Sequence, residues 1–205
     1  MLKLFHAWGS CSLASLISLE EAGADYEVVV MSTKAGDQLK PEYLAINPKA
    51  RVPALVTDRG VLTETPAILS YISETRPSAG LLPAEAWERA QAQAFNAYLC
   101  STVHVFHAHR HRGYRWADDE AALAEMTRKT PENMRAAFQL IEDEMLSGPW
   151  VLGDAYSVCD AYLFTLAGWL ASDGVDIAEF PKVAAHSEQV AARPAVRKVL
   201  ALQAP

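Results

Sequence analysis

Cys11 is the residue in this chain with the most direct chemistry. It stands in Gly9-Ser10-Cys11-Ser12, between an apolar stretch and the first residues of a helical pattern. The first amides of a helix have no intrahelical partner and carry the positive end of its dipole. That position favours thiolate over thiol, which makes a cysteine nucleophilic or a good hydrogen-bond acceptor. A small buried residue filling a tight turn is the other reading of Cys11. Ser10 and Ser12 flank it, and either can donate or accept in its place. No second cysteine stands at Cys-x-x-Cys spacing, which argues against a dithiol oxidoreductase.

Two further segments have binding chemistry. In Asn47-Pro48-Lys49-Ala50-Arg51-Val52-Pro53-Ala54-Leu55, Pro53 opens a strand and cannot donate to its ladder. With a cis Val52-Pro53 bond, Val52 exposes its N–H and C=O, and an extended peptide can pair with them as an added strand. An ordinary trans proline on an edge strand is the alternative. In Leu62-Thr63-Glu64-Thr65-Pro66, Thr65 is expected as an N-cap and Pro66 as the first helical residue. Free amides and a hydroxyl there suit a carboxylate, and Glu64 suits an ammonium. Together they match an amino-acid head group, although a plain cap and a solvated glutamate would use the same residues.

Four histidines, His104, His107, His109 and His111, crowd one helix. His104, His107 and His111 share a face at i, i+3 and i+7, a spacing that can hold zinc or nickel adventitiously. No acidic or cysteine ligand stands at a fitting spacing, so no metal is expected as a cofactor. Trp116, Tyr114 and Arg112 either line the same cleft or pack at the helix end.

The surrounding elements follow from periodicity. Leu2 to Ala7 and Tyr26 to Met31 read as buried strands, with a helix from Ser12 to Ala22 between them, capped by Gly23. Pro41 to Ile46 allows one helical turn. Val52 to Val56 and Val61 to Thr63 are strands around Asp58-Arg59-Gly60, and a helix from Pro66 to about Thr75 follows. The order is βαβαββα over residues 1–77. After a linker at 78–86, residues 87–205 read as all helix. Ala84 to His111 is predicted as one long helix and Asp118 to Leu146 as a second, interrupted or kinked at Pro131. Ser157 to Ala171, Pro181 to Ala192 and Pro194 to Leu202 complete the set, the first opened by a Ser157–Asp160 capping box.

Composition excludes several classes. Hydrophobic residues make up 51% of the 205, enough for one large core or two small ones. A net charge of −7 argues against nucleic acid as a partner, since phosphate binding needs clustered Lys and Arg. No apolar run approaches the ~20 residues that span a bilayer, and the N-terminus lacks a signal-peptide pattern. Three dispersed cysteines suit a reducing compartment, so a cytoplasmic protein is expected.

The motifs resemble the glutathione site of the glutathione transferase superfamily, most of all its bacterial beta class. Lys3-Leu4-Phe5 and Gly9-Ser10-Cys11-Ser12-Leu13-Ala14-Ser15 are similar to the segment around that class's catalytic cysteine. Asn47 to Leu55 resembles its cis-proline segment, Leu62-Thr63-Glu64-Thr65 its Thr-Glu-Ser segment, and Ser157 to Phe164 the start of its C-terminal core helix. The resemblance spans nearly the whole chain in order and spacing. It implies a thioredoxin-like domain followed by an all-α domain, with glutathione as co-substrate and a homodimeric assembly. It further implies that Val52-Pro53 pairs with the cysteinyl unit, Glu64 and Thr65 hold the γ-glutamyl end, and Lys34 reaches the glycine carboxylate. Cys11, Ser10 and His104 would surround the sulfur. The chain departs from the class at Trp8, where a proline is usual, at Thr65 for serine, at Val105 for lysine and at Ala97 for asparagine. The implied activity is conjugation of glutathione to a small electrophile, or thiol transfer through Cys11. A glutathione-dependent isomerase or dehalogenase, and a non-catalytic binding or regulatory protein of the same fold, are the alternatives.

Overall fold

The structure, a computed structural model, describes residues 1–203. Strands and helices alternate first: β1 Leu2–His6, α1 Ser12–Glu21, β2 Tyr26–Val30, α2 Pro41–Leu44, β3 Ala54–Thr57, β4 Gly60–Thr63 and α3 Thr65–Thr75. Only helices follow: α4 Ala86–Tyr98, α5 His104–Arg112, α6 Glu120–Leu140, α7 Val158–Ala167, α8 Pro181–Ala192 and α9 Pro194–Ala201. This is the thioredoxin-like βαβαββα unit and trailing helical domain expected from the sequence. Positions 204 and 205 of the expected helical span lie outside the described residues. No described helix is long and apolar enough to cross a membrane.

The four strands form one mixed sheet in the order β2-β1-β3-β4. β1 runs parallel to β2, with Leu4 opposite Val28, and antiparallel to β3, with Leu4 opposite Leu55. A parallel pair needs a crossover connection, and α1 supplies it. That places the start of α1 beside the C-terminal end of β1, where the Cys11 turn sits.

α1 has almost no solvent face. Ser12, Ala14, Ser15, Leu16, Ile17, Ser18 and Leu19 are all buried. One face packs on the sheet with Leu4, Leu55 and Ile72, and in the same cluster it meets Ala161, Val190, Val196 and Val199 of the helical domain. The other face, through Cys11 and Ala14, joins a core built from Leu99, Phe138, Tyr162 and Leu163. The small residues Ala14, Ser15 and Ser18 allow this close approach. Ser18 returns its hydroxyl to the Ala14 carbonyl at 2.8 Å, so the buried group is satisfied.

Three expectations need correction. The long helix predicted from Ala84 to His111 is broken by a π turn at Leu99–Val103, directly before His104. An extra residue in a turn leaves no mark on composition, and such bulges recur at functional sites. The second helix is not interrupted at Pro131: α6 runs through it. Thr130 donates its hydroxyl to the Met126 carbonyl at 2.8 Å, and the proline ring packs beside Gly174, so tertiary contact overrides the local cost. Thr65 is not an N-cap. It is the first helical residue, and Glu64, at φ 72°, precedes it without a side-chain cap.

The capping box at α7 is present as predicted. Asp160 does more there than cap. Its buried carboxylate accepts from Ser157 N and Val151 N, both at 2.7 Å, and lies 2.9 Å from His186 Nε2. Asp160→Ala strands two buried backbone donors at about 1–3 kcal/mol each. Urea unfolding should therefore show a loss of roughly 3 kcal/mol or more.

Candidate functional site

Gly9 begins the site. Its φ of 75° lies in the left-handed region that glycine enters without strain. The turn it makes points its carbonyl outward, where Trp169 Nε1 donates to it at 3.1 Å. Ser10 follows and donates to the Ala7 carbonyl at 2.8 Å. Its oxygen also lies 2.6 Å from Ser12 Oγ, which in turn sits 2.7 Å from His6 Nδ1. The three side chains form one hydrogen-bonded row under the turn.

Cys11 sits between this row and the helical domain, 7% exposed. Its thiol faces the Val52 carbonyl at 3.7 Å. Of the two sequence readings of Cys11, an activated thiolate and a small buried residue in a turn, its burial favours the second. Burial pushes the Cys11 thiol up, and Thr65 and the Arg112 guanidinium pull it only part of the way back. Desolvation outweighs the helix start because the sulfur has no water around it.

Val52 and Glu64 make the opposite edge. The Val52-Pro53 bond is cis, as expected. The Val52 N–H makes no backbone hydrogen bond among the described residues. Glu64 stands at φ 72° and Ala50 at φ 55°. Residues without the freedom of glycine are held there against a local cost, a pattern typical of ligand-contacting backbone. Lys49 Nζ lies 2.6 Å from Glu64 Oε1 and 2.8 Å from Thr63 Oγ1, so the carboxylate already has a cationic partner. Lys49 comes from the Asn47-Pro48-Lys49 segment that leads into the cis bond, so that segment supplies the partner of Glu64 as well as the Val52 edge.

α5 supplies the third wall. His104 packs edge-on against Trp169, ring centroids 5.0 Å apart. Arg112 Nη2 lies 3.4 Å from His104 Nε2. A guanidinium is always a donor, so Nε2 is the acceptor and the ring is neutral. Burial, reinforced by the positive charges of Arg112, Arg51 and Arg115, pushes His104 down to about 3. The cluster thus offers a neutral imidazole, His104, and a fixed cation, Arg112, near Cys11.

The structure brings Cys11 beside Val52, Thr65 and Arg112, with Glu64 near it, and Arg112 beside His104, while Ser10 bonds within the turn that carries Cys11. Lys34 is exposed and makes no side-chain bond to this group among the described residues. Tyr114 and Trp116 are largely exposed at the end of α5. Trp116 packs against His109, 4.6 Å between centroids. Cys159 is fully buried, its thiol pushed up to about 12 by burial, and Cys100 is half-buried.

The chain resembles known proteins along nearly its whole length. Residues 1–74 match the glutathione S-transferase N-terminal domain, and residues 120–200 match the glutathione S-transferase C-terminal domain. Glutathione S-transferase GstA of Escherichia coli O157:H7 is 29% identical over 205 residues, covering 98% of each chain. A glutathione transferase homologue from Sulfitobacter, solved with bound glutathione, is 43% identical with a TM-score of 0.97, covering 99% of this chain and 98% of that one. The beta class glutathione S-transferase of Sphingomonas chungbukensis is 31% identical with a TM-score of 0.85, covering 98% of each.

His6 gives a pH prediction. It is fully buried, and burial pushes it down to about 4 from the usual 6.5, against an opposing bond to Ser12. Between those values the unfolded chain binds a proton that the folded chain refuses. Stability should therefore be complete above about pH 6.5 and fall as pH drops toward about 4, by on the order of 3 kcal/mol from this group. In urea unfolding at about pH 7 and about pH 4.5, His6→Gln should lose part of the parent's acid sensitivity. Parallel pH dependence in both proteins would rule the assignment out.

Proposed function

The chain belongs to the glutathione S-transferase family, and we propose that its cleft binds glutathione over Cys11 and transfers the glutathione sulfur to a small electrophile. One observation carries the reading. The buried Cys11 sulfur lies against the Val52 carbonyl and within reach of the Arg112 charge, Arg112 meets the neutral His104 ring, and Trp169 ties the turn to the helical domain. A tripeptide lying along Val52 would pair with its main chain as an added strand. Its thiol would then fall near the start of α1 and Arg112.

In the reaction the glutathione thiol gives up its proton to solvent, because the His104 Nε2 lone pair is taken by Arg112 and the ring is pushed down to about 3. The sulfur electron pair then forms a bond to the electrophilic carbon, whose leaving group departs with the displaced pair. Arg112 and the amides at the start of α1 stabilise the sulfur anion before attack. A bound thiol that keeps some contact with water ionises more readily than Cys11, which burial holds protonated. Cys11 therefore serves first as a donor to that sulfur. Its second role, thiol transfer through a mixed disulfide, needs an oxidised glutathione as co-reactant: Cys11 sulfur attacks the disulfide and one glutathione thiol leaves.

Glu64 and Thr65 at the start of α3 are assigned to the γ-glutamyl end, and Lys34 to the glycine carboxylate. Residues 1–77 form the glutathione-binding domain, residues 78–86 the linker and residues 87–205 the helical domain in this reading. Two copies are assigned to a two-fold dimer acting in detoxification in the cytoplasm, the commonest closed symmetry for a soluble protein. Light scattering at micromolar concentration should give twice the chain mass.

Loss of a paired charge in a binding site costs about 2–5 kcal/mol. Glu64→Ala should accordingly weaken glutathione binding roughly thirtyfold or more, measured by calorimetry. Equal affinity in the two proteins would remove Glu64 from the site. Under oxidised glutathione, mass spectrometry should find the mixed disulfide at Cys11 and not at Cys100 or Cys159. Cys11→Ser should lose thiol transfer while retaining partial conjugation, because a hydroxyl can still donate to the sulfur. Full retention of both activities would pass the role to Ser10 or His104.

A further inference from the structure

A second cluster of chemically able side chains lies against the Trp169 indole. His107 and His111 stand one turn apart on α5, ring centroids 4.8 Å apart. Asp173 reaches them from the short turn Ala171–Asp173 that follows α7. Its carboxylate oxygens lie 2.8 and 3.0 Å from His107 Nδ1, and one lies 3.4 Å from His111 Nε2. One ligand atom from each residue falls within 4.8 Å of the others. The sequence pattern could not show this group, because Asp173 is 66 positions from His107.

The surroundings of Asp173 are unusual for a carboxylate. It is fully buried, yet among the described residues its oxygens have no Lys, Arg or backbone partner, only the two imidazoles. A buried negative charge needs a close positive one. His107 is buried too, its ring stacked on the Trp169 indole at 4.2 Å and 23°. His111 is 41% exposed, so the cluster is closed on the Trp169 side and open to solvent on the other.

We propose that His107, His111 and Asp173 form a binding site for a divalent transition metal of the zinc type, separate from the Cys11 cleft. Two imidazoles and one carboxylate are common ligands of such ions, at roughly 2.0–2.2 Å. Donors around a tetrahedral ion then stand about 3.3 Å apart. The observed spacings bracket that value, and the exposed His111 ring is free to rotate into place. Three protein ligands leave one position for water or another ligand, the pattern of an open rather than a closed zinc site. Metal ligands bind in their deprotonated forms, so proton release to solvent accompanies binding. A buried His–Asp bond alone would account for two of the three groups and leave His111 without a role. The transfer reaction itself runs without this metal. The site bears on it only through Trp169, which donates to Gly9 and packs on His104.

The test uses the full chain, free of any histidine tag. Zn²⁺ titration by calorimetry should show one saturable site per chain in the micromolar range or tighter, and Co²⁺ should develop the visible absorption of a low-coordinate nitrogen and oxygen site. His111→Ala changes an exposed residue. It should weaken binding by more than about a hundredfold, beyond the range seen for loss of an outer partner. Asp173→Asn keeps the shape and should also remove the Co²⁺ spectrum. His109→Ala, on the same helix but packed on Trp116, should bind as the parent does. No saturable binding by the parent, equal affinity in His111→Ala, or loss of binding in His109→Ala would each overturn the proposal.

Discussion

Every part of the cleft depends on the burial of α1. A helix with solvent on one side can shift or fray, but α1 is enclosed by the sheet, by α3 and by α7 and α9. Burying Leu16, Ile17 and Leu19 completely stabilises the fold by about 1.5–3 kcal/mol for each side chain. The same burial fixes where the helix begins. Its first turn cannot move without opening both cores, so Cys11, Ser10 and the free amides beside them are held in one place. Precise placement of this kind is what lets a fixed dipole stabilise a developing charge without reorganising.

The electrostatics of the cleft oppose those of the whole molecule. The chain carries a net charge of −7, yet Arg51, Arg112 and Arg115 all act on His104. None of the three has an acidic partner among the ion pairs of the described residues. Arg51 and Arg115 are exposed, while Arg112 is half-buried, where its charge acts more strongly than the same charge in water. It keeps His104 neutral and favours any anion that enters, a thiolate sulfur above all. Cys11 escapes this influence only because its own desolvation is larger.

Much of this was legible in the sequence, and the failures have physical causes. The βαβαββα order followed from apolar runs and turn residues, whose signals are local. Ser157 and Asp160 were readable as a capping box for the same reason. Thr65 was misread because an N-cap and a first helical residue favour similar types. The difference lay in the positive φ of Glu64, which no propensity for glutamate foretells. The π turn before His104 adds a single residue to a helix whose composition is unchanged. The state of Cys11 depended on how deeply the helical domain covers it, and that covering comes from Leu99 and Tyr162, about ninety and one hundred and fifty positions away. Asp173 stands 66 positions from His107. Long-range juxtapositions of this kind are set by packing, not by spacing along the chain.

The two domains divide the chemistry, and that division explains their shared core. The first contributes backbone: the Cys11 turn, the Val52 edge and the start of α3. The second contributes His104, Arg112 and Trp169. A site assembled from two bodies is only as well defined as the seam between them. Here the seam is a continuous core, in which Cys11, Ala14 and Leu69 pack with residues from α4 to α8. It is sealed at the far end of α1 by Arg193, which grips Glu21 at 2.5 and 2.8 Å and lies 3.7 Å from the Tyr156 ring centroid. Interfaces between domains that move are more polar and separable. This one is neither, so the cleft is formed by folding itself. The helical domain then does two things at once: it completes the fold around α1 and sets the charge around the sulfur.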